Sequence, residues 1–329
     1  MTSRRRVVLA FGASTVASAG SFAQQHQGRV WRIGILSPVP AGGDPGPYAR
    51  AFLDGMKGLG YSEGRDFAIE ARNSNGNYDQ LAILAAELVR LKLDVIIAVT
   101  SPAVSAMRQA DGQVPIVFLG VADPVRAGFA VTLARPGGSS TGLSNLVGDL
   151  NPKRLELLKQ TVPALRRVAI LMNPNNKLEA ASVERLRQNV QALGLQLFEV
   201  YLRDQAGIEI AFAEMAKLQV GGLYVTGDAA LFNLRLQIAA AAAEHRIPTM
   251  FPFREYTDVG GLMSYGFSLL QQFRHLSVYV DKIFRGTRAG DVPIEQPTKF
   301  ELVINLKTAK TLGLTVPQAV LLRADEVID

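Results

Sequence analysis

A strand–helix alternation that runs along the chain twice is the strongest constraint on the fold. The first run begins with an apolar stretch at 31–36 and a helical pattern at 48–59, where Phe52, Met56 and Leu59 share one face. The second run begins with a strand at 167–172. The other expected strands are 66–71, 94–100, 115–119, 196–201, 220–226, 247–251 and 261–264, and the other expected helices are 79–91, 179–193, 207–218 and 230–245.

Alternation with short loops predicts parallel sheets with helices on both faces, because parallel strands need crossover connections. Two runs therefore predict an α/β protein of two Rossmann-like, doubly wound lobes. A chain of 329 residues is long for one core and suits two. Hydrophobic residues make up 48% of the chain and charged residues 19%, as in packed globular proteins.

The chain is expected to pass between the lobes several times, through a multi-strand hinge. The segment 135–151, rich in Gly, Ser and Pro, is the first expected crossing, and 264–268 is the second. A late helix at 270–285 then returns to lobe 1, and 302–306 is a last strand. The expected boundaries are 30–145 with about 266–290 for lobe 1, 146–265 for lobe 2, and 291–329 for a C-terminal segment at the hinge or on lobe 2.

Residues 1–23 have the parts of an export signal. Three arginines at 4–6 precede a stretch of apolar and small residues, and Ser21 and Ala23 stand where a signal peptidase reads small side chains. The stretch is shorter than the about 20 apolar residues that span a bilayer. We therefore expect a signal peptide, of the general secretory or the twin-arginine type, and a periplasmic mature protein.

Cysteine usage and charge narrow the function further. The chain has no cysteine, so disulfides, thiolate metal sites, cysteine nucleophiles and a lipid anchor are not expected. The formal charge of +6 falls to +3 without residues 1–23, which leaves 32 basic and 29 acidic residues. So small a surplus of basic residues, without a run of Lys or Arg later in the chain, does not indicate nucleic-acid binding.

Polar residues at the carboxyl ends of strands form the candidate binding site, since ligands of open parallel sheets lie there. Ser37, Ser101 and Asn173 each precede a proline, the order expected at the Ncap and N1 positions of a helix. Free N–H groups at such helix starts bind carboxylates, and Thr100 lies beside one of them. Plain helix capping is the alternative for each turn, but their occurrence in both lobes favours a ligand cleft.

Two acidic residues and a tyrosine complete the candidate site. Asp123 and Asp228 follow strands, and either carboxylate suits a ligand ammonium, with capping of the next helix as the alternative. Tyr265, at the second expected crossing, either closes over a ligand or is buried in the hinge. The expected ligand-binding residues are Ser37, Thr100, Ser101, Asp123, Asn173, Gly227, Asp228 and Tyr265.

Residue patterns typical of enzymes are missing from the sequence. His26, His245 and His275 have no second His or acid at metal-ligand spacing, so no metal site or cofactor is expected. Residues 138–142 match the letters of a nucleophile elbow around Ser140, but that motif requires a strand before it and a helix after it. A flexible loop is expected there instead, and no enzymatic activity is expected.

Several long blocks resemble one known family. They begin at Asp123-Pro124-Val125 and include Ala-Arg-Pro-Gly-Gly at 134–138, Thr-Gly-Leu-Ser at 141–144, Lys-Arg-Leu-Glu-Leu-Leu-Lys at 153–159, Gly-Gly-Leu-Met-Ser-Tyr-Gly at 260–266, and the segments 295–305 and 322–328. In this order, the blocks resemble the ABC-transporter substrate-binding family that includes bacterial tryptophan- and tyrosine-type binding proteins.

The resemblance implies a type I periplasmic-binding fold with about three crossings, whose lobes close on a ligand. It also implies partners in the inner membrane, namely a permease and its ATPase. Family members do not share one ligand. The cleft-facing turns that the resemblance implies lie at Ser37, Thr100, Ser101, Asp123, Asn173 and Asp228.

The sequence therefore predicts the solute-binding component of an ABC importer, which captures an amino acid or a related carboxylate by hinge closure. The ligand carboxylate is expected at Thr100 and Ser101, and its ammonium near Asp228. A periplasmic sensor that presents its ligand to a membrane receptor is the alternative, because its lobes would look the same. A transcription repressor of this fold would carry a helix-turn-helix in place of the expected signal peptide.

Overall fold

Strands and helices alternate through most of the computed structural model, which describes residues 29–39, 46–145, 147–176, 183, 186, 187 and 190–329. The expected signal peptide and most of the expected helix at 179–193 lie outside these residues. The strands are β1 (Trp31–Ser37), β2 (Phe67–Asn73), β3 (Val95–Val99), β4 (Ile116–Val121), β5 (Ser140–Ser144), β6 (Arg167–Met172), β7 (Gln196–Tyr201), β8 (Gly222–Val225), β9 (Thr249–Phe251), β10 (Met263–Gly266), β11 (Glu301–Asn305) and β12 (Glu326–Ile328). The helices are α1 (Pro47–Gly58), α2 (Leu81–Arg90), α3 (Ser101–Ala110), α4 (Val147–Thr161), α5 (Ile208–Lys217), α6 (Ala229–Asn233), α7 (Arg235–Glu244), α8 (Arg254–Thr257), α9 (Leu269–Phe284), α10 (Leu306–Thr311) and α11 (Gln318–Leu321).

Lobe 1 is built on a parallel sheet with the strand order β2-β1-β3-β4-β5. The helices α1 and α9 cover one face and α2 and α3 cover the other. All five residues of β3, Val-Ile-Ile-Ala-Val, are buried, as a central strand with helices on both faces requires. Each face therefore has its own apolar cluster.

Lobe 2 is built on a seven-stranded sheet with the order β12-β11-β10-β9-β8-β6-β7. Its strands are parallel except where β10 meets β11. The helices α5 to α8 cover one face, and α4, α10 and α11 cover the other together with Val183, Leu186 and Val190. The prediction of two doubly wound α/β lobes is confirmed.

The described chain passes between the lobes at three places: from β5 to α4, from β10 to α9, and between Glu295 and β11. At the third place Glu295 still belongs to lobe 1, because its N–H donates to the Gly142 carbonyl at 3.1 Å and its carbonyl accepts from the Ser144 N–H at 2.9 Å. The strands β11 and β12 then join the sheet of lobe 2.

The first crossing lies within the expected segment 135–151 but is much shorter than expected. Ser140–Ser144 is the edge strand β5, and α4 begins at Val147. Gly142 makes this pairing possible, since its φ is 143° and a Cβ there would lie 2.1 Å from the Phe118 carbonyl oxygen. Ser140 is thus a buried strand residue, neither in a flexible loop nor at a nucleophile elbow.

Candidate functional site

The candidate site is a cleft in which the carboxyl ends of the two sheets face each other. A cavity in this cleft is lined from lobe 1 by Tyr48, Thr100, Asn145 and Phe273 and from lobe 2 by Gly227, Asp228, Phe232 and Phe253, among others. Polar groups at the strand ends therefore meet a set of aromatic rings contributed by helices and loops. This is the composition expected of a small-molecule site, which combines apolar walls with a few fixed polar groups.

Thr100, between β3 and α3, combines backbone strain with an unpaired hydroxyl. Its φ is 79°, a value that β-branched residues rarely adopt and that costs about 1–3 kcal/mol. Its N–H donates to the Leu119 carbonyl at 2.7 Å, which holds the residue in place. Its Oγ1 is buried and has no hydrogen-bond partner in the described residues. Strain kept together with a free polar group is typical of a ligand contact.

Asp228 is the most heavily bonded side chain at the cleft. It is 1% exposed, and its carboxylate accepts five hydrogen bonds. The donors are the N–H groups of Ala230 at 2.8 Å and Leu231 at 3.2 Å, the amides of Asn173 at 3.1 Å and Asn176 at 2.9 Å, and the Tyr78 hydroxyl at 2.8 Å. Asp228 therefore caps α6 and occupies its lone pairs, so a direct bond to a ligand ammonium would have to displace one of these donors.

Among the residues that the structure describes, three hydrogen bonds join the two lobes directly across the cleft. They run from the Tyr78 hydroxyl to Asp228 at 2.8 Å, from the Asn233 amide to the Pro38 carbonyl at 3.0 Å, and from the Tyr48 hydroxyl to Glu255 at 3.0 Å. The lobes are therefore in a closed arrangement. Bonds of this kind exist only when the cleft is closed, so they favour closure independently of any ligand contact.

Substituting Tyr78→Phe is expected to weaken ligand affinity by about 5- to 10-fold, because one hydrogen bond to a charged group, worth roughly 1 kcal/mol or more, is lost only from the closed form. Titration calorimetry measures the affinity, and small-angle scattering should show a more open unliganded protein. The matched control is Tyr201→Phe, whose hydroxyl bonds Glu199 within lobe 2 on an exposed edge. Equal affinities of wild type and Tyr78→Phe would contradict the closing role.

Glu255 is a half-buried acid at this lobe contact. Its Oε1 accepts a hydrogen bond from the Tyr48 hydroxyl, and its Oε2 has no hydrogen-bond partner in the described residues. Burial raises the pKa of Glu255 above its ordinary 4.5; Asp258 adds to this rise, while the Tyr48 hydroxyl and Arg254 oppose it. Burial likewise raises the pKa of Tyr48, so its hydroxyl remains a donor. The closed form thus favours protonated Glu255.

Ligand affinity is expected to fall with rising pH through Glu255. Protonation of Glu255 stabilises the closed form. This stabilisation is fully present below the ordinary pKa of 4.5 and is lost as the pH rises through the raised pKa of Glu255 in the closed form. Calorimetry on wild type and Glu255→Gln from about pH 4.5 to 7.5 should show a decline in the wild type that the variant lacks. Glu214→Gln, on the exposed side of α5, is the control and should follow the wild type. Parallel profiles for all three proteins would contradict this linkage.

The expected Ncap–N1 arrangement at three Xaa-Pro pairs is wrong in detail. Ser37 ends β1 and its Oγ accepts the Val39 N–H at 3.0 Å, while α1 starts only at Pro47 after Gly46. Thr100, not Ser101, is the Ncap of α3. The Asn173 side chain accepts the Asn175 N–H at 3.0 Å in a turn. Short polar side chains bond the backbone two residues ahead as readily as they cap a helix, and proline is compatible with both.

The structure places two further expected residues away from the cleft cavity. Asp123 is exposed, and its Oδ1 accepts the Arg126 N–H at 2.9 Å within its own turn. Tyr265 lies on β10 at the second crossing, with its ring 6.1 Å from that of Phe300. Its carbonyl accepts from Arg154 Nε at 2.7 Å, which corresponds to the hinge role considered for it.

Sequence reasoning missed the aromatic side of the cleft and Asn145. Tyr48, Phe232 and Phe273 lie on helices at positions that resemble ordinary core positions, so no sequence signal distinguished them. Asn145 directly follows β5, and it was missed because that strand was missed. Recognising β5 would have placed Asn145 at a strand end, like Thr100.

The described residues contain neither a helix that could cross a bilayer nor a cluster of metal-binding side chains. None of their helices combines the length and apolarity needed for a bilayer crossing. Within the same residues, no group of three or more His, Cys, Asp or Glu side chains is placed to hold a metal ion.

Comparisons with known proteins agree with this geometry. The family model described as "ABC transporter substrate binding protein" matches residues 46–328. The tyrosine-binding protein of Clostridioides difficile (strain R20291) is 24% identical over 266 residues, which cover 80% of this chain and 76% of the relative.

Two solved structures cover 91% of this chain and 100% of their own. One is a conserved domain protein from Vibrio cholerae, with 27% identity and a TM-score of 0.84. The other is an ABC domain in complex with L-Trp from Streptococcus pneumonia, with 23% identity and a TM-score of 0.82. The type I periplasmic-binding fold is confirmed. The chain belongs to the ABC transporter substrate binding protein family, whose members bind small solutes and are not enzymes.

Proposed function

We propose that the protein is the solute-binding component of an ABC importer, exported by its N-terminal signal peptide to the periplasm. It captures an amino acid or a related carboxylate between its lobes and delivers it to an inner-membrane permease and its ATPase. The observation that carries this proposal is Thr100, a strained residue with an unpaired buried hydroxyl at the cleft cavity. The names of two relatives, a tyrosine-binding protein and a complex with L-Trp, support an amino-acid ligand.

The ligand carboxylate binds at the start of α3, where the Thr100 hydroxyl and the helix N-terminus both favour an anion. The carboxylate of Asp228 keeps its five protein donors and attracts the ligand ammonium through its charge, without a direct bond. Ser37, Asn173 and Tyr265 act through the turns and the hinge that shape the cleft. Ligand contacts from both lobes form only on closure, so binding shifts the population to the closed form.

A thermal-shift screen of the purified protein against amino acids, small carboxylates, amines, nucleosides and sugars tests the ligand class. A ligand at one hundred times its Kd stabilises the folded state by about 2.7 kcal/mol, a clear rise in Tm. A shift only with sugars or nucleosides would contradict the amino-acid assignment. The importer role is tested by uptake of the identified solute, which should be lost when the gene is deleted.

Substituting Thr100→Gly is expected to raise the unfolding free energy by about 1 kcal/mol and to weaken ligand affinity by about tenfold. Glycine relieves the strain of a positive φ at some entropic cost, while the variant loses the hydroxyl that bonds the ligand. Chemical denaturation and calorimetry measure the two effects. The control Lys92→Gly relieves a φ of 51° in an exposed turn and should leave affinity unchanged. If Thr100→Gly bound the ligand as tightly as the wild type, the Thr100 hydroxyl would not be a ligand contact.

A further inference from the structure

Lobe 1 contains a second and larger cavity, which we term the lobe-1 cavity. It has a volume of about 410 Å³ and lies between the sheet and the helices α1 and α9. Ile35, Ile69 and Ile97 form its floor on β1, β2 and β3, and Phe52, Leu53 and Leu276 line it from the helices. Hydrocarbon side chains therefore line the cavity on its sheet side and on its helix side.

The lobe-1 cavity adjoins the cleft cavity. Val39, Tyr48, Val99 and Phe273 line both of them. The rings of Tyr48 and Phe273 stack with centroids 5.0 Å apart and planes inclined by 26°. A rotation of this ring pair would join the two spaces into one.

The two cavities differ in size in a way that matters for a ligand. The cleft cavity is about 60 Å³, far below the about 300–1,000 Å³ of typical small-molecule sites. The lobe-1 cavity, at about 410 Å³, falls within that range. Of these two spaces, only the lobe-1 cavity has room for a ring or a branched alkyl chain.

Three polar residues at the edge of the lobe-1 cavity have protein partners, whereas Glu63, which also lines this edge, is exposed to solvent. Arg72 Nε donates to Glu87 at 2.8 Å, and Asn73 accepts the Asn75 N–H at 2.7 Å. Ser37 is bonded to the backbone of Val39. A polar ligand group that enters the apolar part of the cavity would lose its hydrogen bonds to water and would not regain them from the protein. An apolar group carries no such cost.

We propose that the lobe-1 cavity is the apolar half of the ligand site and receives a bulky hydrocarbon group, an aromatic ring or a branched alkyl chain, past the Tyr48–Phe273 ring pair. The ligand is therefore amphipathic, with its charged head in the cleft. The position of the head rests on the proposed function; the apolar pocket rests on the cavity alone. Burial of such a group supplies much of the affinity, because the transfer of hydrocarbon from water to an apolar pocket is favourable.

The test fills the cavity from two opposite walls. Ala49 on α1 and Ala71 on β2 both line it, so Ala49→Phe and Ala71→Phe each place a ring inside. Ala86→Phe, on the exposed side of α2, is the matched control. Calorimetry with L-tryptophan, L-tyrosine and L-leucine should show at least a tenfold loss of affinity in both filled variants and none in the control. Thermal melts of each variant confirm folding, and Ala71→Phe, at an exposed strand position, serves if Ala49→Phe does not fold.

Indole alone separates a failure of this proposal from a failure of the proposed function. If wild type binds the amino acids and both filled variants bind them equally well, the apolar pocket is overturned and the proposed function stands. If wild type binds none of them but indole raises the Tm of wild type and not of the filled variants, the pocket stands and the amino-acid assignment fails. If neither the amino acids nor indole bind, both proposals are overturned.

Discussion

Replacing Asp228 by alanine is expected to lower ligand affinity by about 100-fold and the unfolding free energy by about 3 kcal/mol. The affinity falls because the bond to Tyr78 and the charge at the cleft are lost together, at roughly 1.5–3 kcal/mol for bonds to a charged group. Stability falls because α6 loses its cap and the buried Asn173 amide loses an acceptor. Calorimetry and urea denaturation measure the two losses.

Two further variants divide the effect of Asp228 into its parts. Asp228→Asn keeps an oxygen that caps α6 but presents an amide to Tyr78 and Asn176, so most of the stability should remain while affinity falls. The control Asp123→Ala removes one exposed turn bond and should cost less than about 1 kcal/mol. If Asp123→Ala lowered affinity as much as Asp228→Ala, the hydrogen bond between Tyr78 and Asp228 across the cleft would not be the cause.

Substituting Arg154→Met is expected to lower the unfolding free energy by about 3–4 kcal/mol. The guanidinium is completely buried and donates to the Tyr265 carbonyl at 2.7 Å and to Asn151 Oδ1 at 3.1 Å. It thereby ties α4 to the end of β10, next to two of the three crossings. Methionine fills much of the space but removes the donor to the Tyr265 carbonyl and leaves Asn151 Oδ1 with the Tyr224 hydroxyl as its remaining donor, at about 1–3 kcal/mol for each bond lost.

Urea denaturation followed by circular dichroism measures this loss. Arg323→Met is the matched control, because Arg323 is exposed and its side chain donates to a surface glutamine, Gln160, at 2.9 Å. It should change the unfolding free energy by less than about 0.5 kcal/mol. Similar losses in the two variants would show that the buried position of Arg154 at the hinge does not explain its contribution to the unfolding free energy.

The sequence by itself determined the two lobes and much of their cores, because the hydrophobic period of a strand or helix is a local property. Val95–Val99, Phe52 and Met56 are buried as their spacing predicts, whereas Leu59, on the same predicted helix face, is exposed. The same reading placed Thr100 and Asp228 at strand ends, and therefore at the cleft. It failed at β5, since Ser-Thr-Gly-Leu-Ser has the composition of a loop and becomes a strand only beside Phe118.

Only the tertiary structure decided how these residues work together. Tyr78 and Asp228 are 150 positions apart, and Tyr48 and Glu255 are 207 apart, so no local pattern relates them. The strain of Thr100 is imposed by its neighbours, and the lobe-1 cavity results from how α1 and α9 pack on the sheet. Local periodicity determines the helices and strands and their buried faces. The cleft, the hydrogen bonds across it and the lobe-1 cavity arise from contacts between elements that only packing brings together.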